Sequence, residues 1–87
     1  MNSPEVLTPE RATTCWDRLV DTYADQVWEV IRAARLPRDA AMAANQLTWT
    51  RLADNIAAIA PVDIEEWLRG TARREAERSA KLIRITG

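Results

Sequence analysis

The chain has 87 residues and a formal net charge of -1, with 47% hydrophobic and 29% charged residues, two Gly and four Pro. A chain of this size buries only about 60–65% of its unfolded surface and builds one core, and its wealth of helix formers excludes disorder or a fibre. A single Cys and no His exclude an internal disulfide, a Cys/His zinc site and the usual acid–base and nucleophilic machinery. No stretch reads as a signal peptide or a membrane span. The expectation is a cytoplasmic protein that needs no metal or cofactor and is not an enzyme, since Cys15 beside Trp16 reads as a small hydrophobe rather than a nucleophile.

Residues 1–7 hold little to bury and read as a flexible N-terminal segment, leaving 8–87 as one helical domain. Thr8-Pro-Glu10 reads as a helix start, with Thr8 as N-cap, Pro9 in the first helical position and Glu10 in the positive first turn. From there Trp16, Leu19, Val20, Tyr23, Val27, Trp28, Ile31 and Ala34 recur at helical spacing, giving one long amphipathic helix or two nearly collinear ones broken near Ala24. Leu36-Pro37 ends the run.

A second helix is expected from about Pro37–Asp39 to Ile56, with Ala41, Ala44, Thr48, Trp49, Leu52, Ile56 and Ile59 inward. Its first half is Ala-rich from Ala40 to Ala44, which permits a close helix approach but offers little area to bury. Pro61 disfavours helix at Ala60, and Asp63 reads as the N-cap of a last helix, with Glu66 as its capping-box partner. That helix should reach about Arg84, with Ile64, Leu68, Ala72, Ala76, Ala80 and Ile83 on one side and Trp67, Thr71, Arg74 and Arg78 on the adjacent face. No segment alternates like a strand and no repeat is present, so the fold class is all-α, a compact domain of three to four helices.

Charge is distributed unevenly along this series. Residues 69–84 hold six basic side chains, Arg69, Arg73, Arg74, Arg78, Lys81 and Arg84, against Glu75 and Glu77, a surplus of four, so the remaining residues carry a deficit of five. A cationic end on an acidic body suits a partner that is anionic on one side. The same charges also read as a solvated helix with intrahelical pairs such as Arg74 with Glu77.

Three segments in order carry a family resemblance: Trp16-Asp-Arg-Leu-Val-Asp-Thr-Tyr-Ala24 with Val27-Trp28, then Gln46-Leu-Thr-Trp-Thr-Arg-Leu52, then Glu66-Trp-Leu-Arg-Gly-Thr-Ala-Arg-Arg74 after Pro61. Together they resemble region 2 of bacterial RNA polymerase sigma factors, in particular the extracytoplasmic-function group of actinobacteria. The resemblance implies a fold of sigma region 2 type. It also implies a role in transcription initiation, docking on the clamp coiled coil in the largest subunit of core RNA polymerase and binding the non-template strand of the promoter minus-ten element.

On that basis Gln46, Thr50 and Arg51 are the polymerase-binding candidates, and Arg69, Arg73, Arg74, Arg78, Trp67 and Asn55 the DNA-binding candidates. Trp67 can also be read as packing between the last helix and the first. The segment Asn55-Ile-Ala-Ala-Ile-Ala-Pro-Val62 matches the loop that captures a flipped base in the family, and carries one amide and no charge. Two departures stand out. Ala40, Met42 and Ala43 replace the acidic residues expected at the start of the clamp helix, and the 87 residues contain no region 4 domain. An anti-sigma factor is a further partner of such domains. The alternative reading is a sigma-like domain repurposed for protein–protein contact through its Ala-rich face, including as a homodimer.

Overall fold

The structure, a computed structural model, describes residues 9–86, with side chains from 15 to 84. Among these residues it has three α-helices and no strand: α1 (Pro9–Arg32), α2 (Arg38–Asn55) and α3 (Ile64–Thr86), with two short 3-10 turns, Ile56–Ala58 and Pro61–Asp63, joining α2 to α3. The capping role read for Thr8 lies outside the described residues, as do residues 1–7. Pro9 is the first residue of α1, and α1 runs unbroken past Ala24, because the apolar positions on either side of that residue share one face and nothing there interrupts the hydrogen-bond ladder.

The end of α1 is a tightening turn. Ala33 N–H donates to Glu29, Ala34 to Ile31 and Arg35 to Arg32 at 3.0–3.1 Å, and Arg35 then takes a left-handed conformation, φ 54°. This position usually carries Gly, because a Cβ is crowded there. Pro37, extended at φ -56° and ψ 154°, accepts the Ala41 N–H at 2.9 Å and so starts α2 without a side-chain cap.

The core forms where all three helices meet: Val27 and Ile31 from α1, Ala41, Ala44 and Leu52 from α2, and Ile64, Leu68 and Ala72 from α3. Each buried Leu or Ile here contributes about 1.5–3 kcal/mol. Trp16, Leu19, Tyr23, Trp28, Trp49, Ile56, Ile59 and Trp67 are only half-buried and pack around this centre. The four tryptophans thus act as flanking walls, as expected when a small domain lacks the volume to enclose so large a side chain. Trp16 and Trp49 meet edge-to-face, 6.2 Å between ring centroids at 84°, and tie α1 to α2. Thr48 is buried, with its hydroxyl donating to the Ala44 carbonyl at 2.8 Å.

Two expectations are corrected. Asp63 is not an N-cap: it lies inside the 3-10 turn, its N–H donating to Ala60 O at 2.8 Å. The turn runs directly into α3 and begins with Pro61, whose fixed φ and missing N–H suit the first position of a helical segment. Ile83 is exposed rather than inward, because it lies about two turns beyond the last buried residue of the helix, Ala76.

Candidate nucleic-acid interface

Successive residues of an α-helix point about 100° apart, and this divides the arginines of α3 between two faces. Arg69 and Arg73 share a groove with Val62, Glu65, Glu66 and Gly70. Arg69 Nη2 is paired there with Glu65 Oε2 at 3.2 Å, an exposed i,i+4 contact contributing about 0.3–0.5 kcal/mol. Arg74 and Arg78 project on the side facing α2 and, among the described residues, form no salt bridge.

On that second face Asn55, Trp67, Arg74 and Arg78 line one cleft together with Arg51, Thr71 and Glu75. Its volume, about 350 Å³, falls at the low end of the roughly 300–1,000 Å³ typical of small-ligand sites. The two helices build it by register. Arg51 and Asn55 are one turn apart at the end of α2, with Asn55 Nδ2 donating to the Arg51 carbonyl at 2.8 Å, while Trp67, Thr71, Glu75 and Arg78 follow one another at three- and four-residue intervals along α3. A half-buried indole at one end and cations at the other give a site with a stacking surface and anion contacts. From Arg74 and Arg78 the cationic stripe continues along α3 to Lys81 and Arg84, forming a groove with Ala34 at the end of α1, in which Glu77 is the acidic member.

The floor of the cleft is Glu75, only 5% exposed. Its Oε2 lies against Arg51 Nε, whose side chain is 43% exposed. The two form an ion pair that joins α2 to α3. Glu75 Oε1 is buried with no hydrogen-bond donor among the described residues, a state that costs about 1–3 kcal/mol and more for a charged group.

Of the polymerase-binding candidates, Gln46 and Thr50 are exposed and one turn apart, with Thr50 Oγ1 donating to Gln46 O at 3.0 Å. Gln46 lines a shallow pocket with Trp28, Arg38, Met42 and Asn45. Arg51 does not join them. It points toward α3 and belongs to the cleft.

Arg51, Thr71 and Glu75 were not among the DNA candidates read from the sequence. The available signal was the four-residue spacing of Arg51 to Asn55 and of Trp67 through Thr71 to Glu75. A carboxylate within Arg73-Arg74-Glu75-Ala76-Glu77-Arg78 otherwise reads as one more solvated charge. No helix among the described residues is long and apolar enough to cross a membrane, and no group of three or more His, Cys, Asp or Glu among them could hold a metal ion. Comparison with protein-family models, curated proteins and solved structures finds no match to this chain.

Proposed function

We propose that the chain is a sigma region 2-type domain that binds single-stranded promoter DNA of the minus-ten element along α3 and core RNA polymerase through α2. The observation that carries this reading is the convergence of Asn55, Trp67, Arg74 and Arg78 on one cleft, with the Arg74 and Arg78 guanidinium groups in no salt bridge among the described residues. Opened DNA presents base faces and phosphates together, and a receptor for it needs an aromatic face beside a cationic track on a rigid scaffold. Gln46 and Thr50 stand exposed on α2 for the polymerase. With Ala40, Met42 and Ala43 in place of acids, basic groups facing them on the polymerase are left without partners, a cost of about 2–5 kcal/mol for each one that is desolvated, so the affinity for polymerase should be low.

The test has two arms: retention of the protein on immobilised core polymerase, and fluorescence anisotropy with a labelled minus-ten strand at increasing salt. Binding in both arms, with the DNA arm weakening as salt rises, is the expected result. No retention and no salt-sensitive DNA binding overturns the proposal.

A second reading, a module for protein contact, rests on a different observation: Met42 and Leu47 are 52% and 43% exposed on α2. The Ala-rich run contributes less to it than expected, because Ala41 and Ala44 are consumed in the protein's own core. Sedimentation separates the two: a stable homodimer without polymerase binding favours the second, a monomer that binds polymerase the first.

A further inference from the structure

We infer that Glu75 is a specificity-determining residue of the cleft, selecting a nucleobase with an amine where thymine has its 4-carbonyl, that is cytosine (4-amino) or adenine (6-amino), over thymine. The inference rests on the single-strand binding proposed above and goes beyond it, since cations and an indole alone accept any base. A buried polar atom without a partner requires an explanation, and a ligand that supplies the missing partner is one. Glu75 Oε1 is such an atom, an acceptor lining a cleft whose other walls suit the remaining parts of a nucleotide.

The geometry distributes the recognition. Trp67 offers its half-buried ring to a base face, Arg74 and Arg78 hold the flanking phosphates, and Glu75 lies at the bottom where the base edge arrives. Its Oε2 is engaged by Arg51, so a single oxygen remains and a single N–H donor satisfies it. The 4-amino group of cytosine or the 6-amino group of adenine provides one, the pairing by which acidic side chains read cytosine. Thymine turns a carbonyl oxygen toward the carboxylate at the same place, and two acceptors repel. Oε1 is closed to solvent in this conformation. Admitting the base therefore requires a rim side chain to swing outward, and Arg78 is long and open to solvent while Arg51 stays on Oε2. A strand's own phosphates draw the Arg78 guanidinium outward as it binds.

The experiment measures binding of the whole protein to short oligo-thymidine strands that carry one central cytosine, adenine, thymine or 2-pyrimidinone; the last keeps the pyrimidine ring and lacks the amine. The expected result is about tenfold tighter binding with cytosine or adenine than with thymine, with the advantage lost on 2-pyrimidinone. In Glu75→Gln, checked for native helix content by circular dichroism, the preference for the amine disappears, because the neutral amide no longer repels the thymine carbonyl. Should the variant fail to fold, the 2-pyrimidinone strand on the unaltered protein still decides. Salt-sensitive binding that is equal for all four strands overturns the role of Glu75 and leaves the proposed function standing; absence of binding to every strand overturns both.

Discussion

Arg35 is the residue at which the backbone is least suited to its side chain. A left-handed φ of 54° crowds a Cβ against the neighbouring carbonyl at a cost of about 1–2 kcal/mol, and the turn that closes α1 needs that conformation so that Leu36-Pro37 can start the reversal into α2. Glycine adopts it freely, although it loses more freedom on folding. Arg35→Gly is therefore expected to stabilise the protein by about 0.5–1 kcal/mol in urea unfolding, with no loss of helix signal. A destabilised variant would mean that the Arg35 side chain contributes more than the strain removes.

The same scale explains why the cleft was only half legible in the sequence. Asn55, Trp67, Arg74 and Arg78 were identifiable because amide, indole and guanidinium groups suit nucleic acid wherever they stand on a helix. Arg51 and Glu75, 24 positions apart, become partners only when α2 and α3 pack, and no local pattern encodes that approach. Arg73 and Arg74 look equivalent in a row of letters, yet one residue step turns them toward different grooves.

Among the elements, α2 shows best how composition and packing divide the work. Its mixed sequence yields no strong apolar stripe, yet Ala41, Ala44, Thr48 and Leu52 are buried at helical intervals. Small side chains let the helix backbone approach its neighbours closely, and Ala44 has no exposed surface at all. Ala44→Leu inserts a side chain where no space exists and is expected to cost about 1–3 kcal/mol by overpacking, whereas Ala43→Leu on the exposed face should change stability by less than about 0.5 kcal/mol. Thermal unfolding of the two variants checks the difference. If they unfold alike, the inward face has been misplaced, and the docking surface of the second functional reading reopens. The all-helical class, the order of the helices and the effect of Pro61 on Ala60 follow from periodicity and ring chemistry, because those signals are local, whereas periodicity leaves open whether α1 is one helix or two. The start of α3 was misread because Asp63 and Glu66 make a plausible capping box, and only the path of the chain reveals that Pro61 had already begun the helical turn.

For the molecule as a whole, charge must be organised rather than abundant. A net charge of -1 attracts no polyanion, so association with a strand depends on presenting the cationic side of α3 while the acidic body faces away. Arg74, Arg78, Lys81 and Arg84 follow one stripe of that helix, two of them at the cleft, and they can neutralise about three to four phosphates. Each such contact on a single strand steepens the logarithmic salt dependence by about 0.7. Raising monovalent salt from about 50 to 200 mM should then weaken binding about 20- to 50-fold. Arg74→Ala and Arg78→Ala should each flatten the slope by close to one contact's worth. Arg69→Ala should change it less, since that guanidinium is already occupied by Glu65 and lies in the other groove. Anisotropy titrations at four salt concentrations on the unaltered protein and the three variants read these slopes directly. Equal effects from all three arginines would show that the strand ignores the cleft and senses only the diffuse charge of the helix.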